Sequence, residues 1–143
     1  MTLDTNVLFM ALYSQKGASF QILQELRKGN LQLALSVPVF KEYEDVLTRK
    51  TTLDELQLAK SDVASILDTL AFLGFPFDIH FLMRPNLRDE ADNMFVDLAF
   101  ASSSEYLVTS NKRDFEISTD LRIDSFRIAT PKEFLIEWRR KND

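Results

Sequence analysis

Residues 90–115 read EADNMFVDLAFASSSEYLVTSNKRDF and run from a helix into a strand and then a polar loop. Ala91, Phe95, Leu98 and Ala99 fall at i, i+4, i+7 and i+8, the spacing of one helical face, which predicts a helix over 90–102. Tyr106-Leu107-Val108-Thr109 follows as a short apolar strand, and Ser110-Asn111-Lys112-Arg113-Asp114-Phe115 reads as a loop. A strand set this close behind a helix is the mark of an alternating α/β chain.

The same alternation extends in both directions. Leu3–Phe9 reads as a short apolar strand broken by Asp4-Thr5-Asn6, and Ser19–Lys28 as a helix stopped by Gly29. Leu31–Val37 alternates like a strand, and Pro38 stands where a helix favours its first residue, with Val39, Tyr43, Val46 and Leu47 as its apolar stripe. Asp54–Leu73 is a longer helical region with a bend expected near Ser61-Asp62, and Phe77–Phe81 is a short apolar run with strand character. Phe126–Ala129 is a last strand, and Thr130-Pro131-Lys132-Glu133 opens a final helix with Thr as cap, Pro at the first position and Glu at the third. The order predicts a single α/β domain over residues 1–143, a mostly parallel twisted sheet with helices on both faces.

Composition narrows the chemistry. The 143 residues are 45% hydrophobic and 27% charged, as expected of one globular domain and not of a disordered or fibrous chain. With no cysteine there is no disulfide, no thiolate metal site and no thiol nucleophile. The net charge of −5, from 22 acids against 17 bases, argues against a protein held on nucleic acid by a global positive field. It leaves room for a cation-binding acid cluster. The one histidine, His80, sits in an apolar run, so catalysis falls to carboxylates, hydroxyls or lysine. No apolar stretch approaches the ~20 residues of a membrane span, and no basic, apolar export signal opens the sequence, so a cytoplasmic protein is expected.

Several acids stand where an amphipathic pattern calls for apolar side chains. Asp4 ends the first strand, Glu42 lies at i+3 from Val39 and i−4 from Val46, and Asp92 precedes Phe95 on its helical stripe. Asp114 follows the Tyr106–Thr109 strand, and in open parallel sheets ligands bind beyond the carboxyl ends of strands. Each has a bland reading: Asp4 as a turn cap, Glu42 and Asp92 as acids favoured by helix dipoles, Asp114 as a loop acid. Four converging carboxylates, however, repel one another unless a cation joins them, and oxygen-only ligation selects a hard ion such as Mg²⁺ or Mn²⁺. Such a site suits attack of water on a phosphodiester.

Taken in order, these segments resemble the PIN domain, a family of metal-dependent ribonucleases, and most nearly its prokaryotic VapC-like toxins. The likeness rests on Leu3-Asp4-Thr5-Asn6-Val7-Leu8, Glu42-Tyr43 with Val46-Leu47, Asp92 with Phe95 and Leu98-Ala99, Leu107–Phe115, and Ala129–Leu135. It implies Asp4, Glu42, Asp92 and Asp114 as metal ligands for Mg²⁺ or Mn²⁺, with Thr109 as polar support and Asn6 holding the first acid. It also implies an RNA substrate, an antitoxin partner and a homodimer. The sequence departs from many VapC-like members at Asn111, where they carry Asp, and only Met1-Thr2 precede Leu3, which clips the first strand. Lys112, Arg113, Arg84 and Arg88 flank the acids as candidate phosphate contacts, against a plain reading as solvated charges. No aromatic stacking platform is legible. Two rivals stand beside the nuclease: a PIN domain of weak catalysis that binds RNA or protein, and a receiver- or phosphatase-like α/β protein.

Overall fold

Asp4 and Thr109 end neighbouring strands, and the arrangement that puts them there organises the molecule. In the computed structural model described here, residues 1–79, 90–116 and 126–142 are defined, without the side chains of 90–92 and 116. Strand β1 (Thr2–Leu3) pairs in parallel with β4 (Tyr106–Val108), which pairs in parallel with β5 (Arg127–Ala129). The register sets Leu3 beside Val108 and Val108 beside Ala129. A second parallel pair, β2 (Ala34–Leu35) and β3 (Phe75–Pro76), joins β1 through a hydrogen bond from Ala34 N to Met1 O of 2.8 Å. The ladders form two sheets, β1-β4-β5 and β2-β3, and with β2 lying beside β1 they give the side-by-side order β3-β2-β1-β4-β5. The chain builds outward from β1 to β3 and then returns to the other side of β1, so the reversal of strand order falls between β1 and β4.

Eight helices connect and cover these strands among the described residues: α1 (Thr5–Tyr13), α2 (Ala18–Arg27), α3 (Val37–Leu47), α4 (Lys50–Leu56), α5 (Lys60–Leu73), α6 (Glu90–Ala101), α7 (Lys112–Glu116) and α8 (Pro131–Asn142). Helix α6 packs on β1, β2 and β4, while α8 packs on β4 and β5 and against α2. Between them lie Leu3, Ile22, Leu26, Leu33, Tyr43, Leu47, Phe95, Leu98, Leu107 and Val108, all nearly inaccessible to solvent. At ~1.5–3 kcal/mol for each large apolar side chain removed from water, this shared core is the main force holding the short strands in register.

Local chemistry explains where the elements fall and where they differ from expectation. The strand expected through Phe9 stops at Leu3, and Thr5 already begins α1. An unbroken apolar run has no period to separate strand from helix, and here burial of Val7, Leu8 and Ala11 on one face decides it. The expected strand over 31–37 is in the ladder only at Ala34–Leu35. Ser36 instead caps α3 by accepting from Val39 N at 3.3 Å, which makes Pro38 the second helical residue. The bend expected near Ser61-Asp62 falls earlier. Gln57 ends α4 in the left-handed region (φ 55°), and Asp62 begins α5 by accepting the Ala59 amide at 2.9 Å. Gly29, at φ 81°, ends α2 as its sequence suggests. The segment Ser110–Phe115 is not a plain loop, since α7 takes up all of it from Lys112 onward. The strand expected at 77–81 is found at Phe75–Pro76, and its remainder beyond Ile79 lies outside the described residues, as do His80, Arg84 and Arg88.

Candidate functional site

The carboxyl ends of β1 and β4 meet at Asp4 and Thr109. Backbone bonds fix both: Asp4 N donates to Val108 O and Thr109 N to Ala129 O, each at 2.9 Å. Asp4 stands at the N-cap position of α1 with extended backbone, yet its side chain makes no cap bond. Its Oδ2 instead accepts from Thr109 Oγ1 at 2.7 Å and from Asn6 Nδ2 at 3.0 Å. Thr109 Oγ1 in turn accepts from Asn111 N at 3.0 Å, and Asn6 Oδ1 accepts from Ser110 N at 3.1 Å. Two side chains of the β1–α1 junction and three residues after β4 are thus stitched together around one carboxylate.

That carboxylate is only 6% exposed. Burial pushes its pKa up first, the Thr109, Thr5 and Asn6 donors pull it back, and the charge of Glu42 raises it again. Among the described residues its hydrogen-bond donors are neutral, so the carboxylate has polar partners and an acidic neighbour, but no cation among these contacts.

Glu42 reaches this place through its neighbour in sequence. Tyr43 is fully buried and donates its hydroxyl to Leu3 O at 2.5 Å, tying α3 to the end of β1. Its ring lies 6.3 Å from that of Phe95 on α6, and burial with the charge of Asp4 holds its phenol far above the ordinary range. No acid stands in the first turn of α3; Glu42, half-buried, is one turn further in, where the helix-dipole reading does not account for it.

The other sequence-predicted residues are placed as follows. Asp92 lies in the first turn of α6, and its side chain is outside the described residues. Asp114 lies in α7, partly buried, with its amide donating to Asn111 O at 3.0 Å. Asn111 itself is exposed. Lys112 is paired with Glu133 of α8 at 3.2 Å, and Arg113 is exposed. Among the described residues, which lack the Asp92 side chain, no group of three acids stands close enough to hold an ion. The site among the described residues is therefore Asp4, with Glu42 near it, inside a network of neutral donors.

Sequence reading missed some of this. The Ser110 amide carries no side-chain signal. Tyr43 reads as one more apolar residue, although a buried tyrosine calls for an acceptor. Asn93 and Asp97, four residues apart on α6, are each 4% exposed, so this helix carries buried polar groups close to Asp92 in sequence.

Residues 1–113 match the family model of the PIN domain, which covers every element from β1 to the start of α7. No curated protein matches the chain. No helix among the described residues is long and apolar enough to cross a membrane.

Proposed function

Because this chain belongs to the PIN domain family, whose members are typically nucleases that use divalent metal ions, we propose that it is a Mg²⁺- or Mn²⁺-dependent endoribonuclease hydrolysing RNA phosphodiesters. The observation that carries the reading is Asp4: a buried carboxylate at the strand-order reversal, beside a second acid, with neutral donors around it. A hard divalent cation fits that oxygen donor set. Asp4, Glu42, Asp92 and Asp114 would hold it. When bound, it supplies an activated water and neutralises charge on the phosphate.

The chain's own residues do the positioning. Thr109 and Asn6 converge on one oxygen of Asp4 and fix the rotation of its carboxylate. Asn6 also holds the Ser110 amide, so the loop leading to Asp114 is set by the same side chain that orients Asp4. Tyr43 keeps Glu42 at the end of β1. Arg113, exposed beside Asp114, is free to meet a phosphate, whereas Lys112 must leave or share Glu133 to do so. Arg84 and Arg88 are the further phosphate candidates.

The motif likeness to VapC-like proteins extends the proposal to the toxin of a type II toxin–antitoxin pair, acting in the cytoplasm with an antitoxin partner and as a homodimer. The domain would take in the whole of 1–143, since β5 beyond the matched residues pairs with β4. Asn111, exposed and uncharged where many such toxins carry Asp, favours a second reading as a catalytically weak module that binds RNA or protein.

Cleavage of a mixed single-stranded RNA pool with Mn²⁺, Mg²⁺ or chelator, beside Asp92→Asn, tests the proposal. Metal-dependent cutting that is lost in a folded Asp92→Asn protein supports it. Cutting in chelator, or equal cutting by the variant, contradicts it. A folded wild type that binds RNA without cutting it favours the module.

A further inference from the structure

Helix α1 turns one face toward the core and leaves another open. Asn6, Phe9, Met10 and Tyr13 fall at i, i+3, i+4 and i+7, so they form a single stripe along it. The stripe starts at the residue that holds Asp4 and runs out into solvent: Met10 is 40% exposed and Tyr13 60%. Phe9 and Tyr13 are stacked, with ring centroids 5.8 Å apart and planes 17° from parallel. Phe9 is anchored against the core, which leaves the Tyr13 ring presented at the end of a rigid pair.

The charge pattern is equally uneven. In a chain of net charge −5, no acid occurs between Asp4 and Glu25, and Lys16, exposed just beyond α1, is the single charged side chain in that interval. Helix α1 itself therefore offers a polyanion no acid beyond Asp4 and one cation just past its far end. Tyr13 lies nine residues from Asp4, about 13 Å along a helix. That is a span on which bases flanking a phosphate held at the acids would lie.

We infer that the Phe9–Tyr13 face of α1 is a stacking platform for the bases of a single-stranded RNA whose backbone runs from the Asp4 site toward Lys16. Stacking on an aromatic face is open to every base, so this surface gives strand and single-strandedness, not sequence. The inference rests on the nuclease reading and deepens it. A protein partner is the competing occupant of an apolar stripe, but the stacked rings, the absence of acids from residues 5–24 and continuity with the carboxylate site favour RNA.

The test uses wild type, Tyr13→Ala, Tyr13→Phe and Phe9→Leu, with Phe72→Ala as a control because Phe72 is a more exposed ring, on α5. Binding of a fluorescein-labelled single-stranded RNA and of its duplex is read by anisotropy in chelator, and cleavage kinetics follow in Mn²⁺. Tyr13→Ala is expected to raise the single-strand Kd and the KM about tenfold with kcat little changed, while Tyr13→Phe restores binding. Phe9→Leu weakens it too, and Phe72→Ala does not. Cleavage and binding that ignore Tyr13→Ala overturn the platform and leave the nuclease standing. A wild type that neither binds nor cuts RNA overturns both. A Tyr13→Ala protein that keeps RNA affinity but changes mass in light scattering assigns the face to a protein contact and also overturns the platform.

Discussion

Asp4 is the residue on which the chemistry turns, and its surroundings give three measurable consequences. Thr109→Val removes the 2.7 Å hydroxyl donor while keeping the shape, so Mn²⁺ affinity should fall by about tenfold or more, as for other groups that orient a metal-binding carboxylate. Titration calorimetry checks this, and an unchanged affinity would show that the hydroxyl does not set the carboxylate. Tyr43→Phe removes the buried bond to Leu3 O and should cost about 1–3 kcal/mol in urea unfolding. The raised pKa of Asp4 has a definite sign. Between the ordinary carboxylate value and the raised one, the folded state holds a proton that the unfolded state has released. Stability in chelator therefore falls as pH rises through that window. Glu25 and Glu133, whose pKa values are lowered, pull the other way, so the quantity to measure is the difference from Asp4→Asn, in which this fall should vanish.

At the scale of elements, pattern and packing divide the work. Helix α6, strand β4 and the start of α8 are legible because each shows one clear period or cap: Phe95, Leu98 and Ala99 on one face, and Thr130-Pro131 with Glu133 at the third position. The last is realised by Thr130 N donating to Glu133 Oε1 at 2.9 Å. Helix α1 is not legible, since Val7–Leu12 is apolar throughout and burial, not periodicity, tells Val7, Leu8 and Ala11 from Phe9 and Met10. The same ambiguity hides the Phe9–Tyr13 pair, because rings four residues apart stack on a helix and stand far apart on a strand. Gly74 between α5 and β3 is a packing requirement of this kind. A Cβ there would lie 2.2 Å from Leu35 Cδ1 and 2.9 Å from Leu70 O, at an ordinary φ of −74°. Gly74→Ala should destabilise by about 1–3 kcal/mol in urea unfolding, the cost of overpacking. Pro76 is legible in a different sense: it withholds an N–H on the strand at the sheet's end, which discourages further pairing there.

For the whole molecule, the alternation of strands and helices in the sequence suffices to place Asp4 and Thr109 at strand ends. The parallel pairing of β1 with β4 is what makes those ends neighbours, and strand pairing is not written in any local pattern. The spatial relation of Glu42 to Asp4 likewise depends on a long-range bond from Tyr43 to Leu3, across 40 residues. A cation bound there would stabilise the folded chain by mass action, so Tm should rise with Mn²⁺ concentration in wild type and require higher Mn²⁺ for the same rise in Asp4→Asn. Binding of a divalent ion by Asp4 and its neighbours is tested most directly by a calorimetric Mn²⁺ titration of wild type, Asp4→Asn and Glu42→Gln. Wild type is expected to show one saturable binding event, weakened at least about tenfold in each variant. Equal binding by all three proteins, or none by a folded wild type, would contradict binding at Asp4.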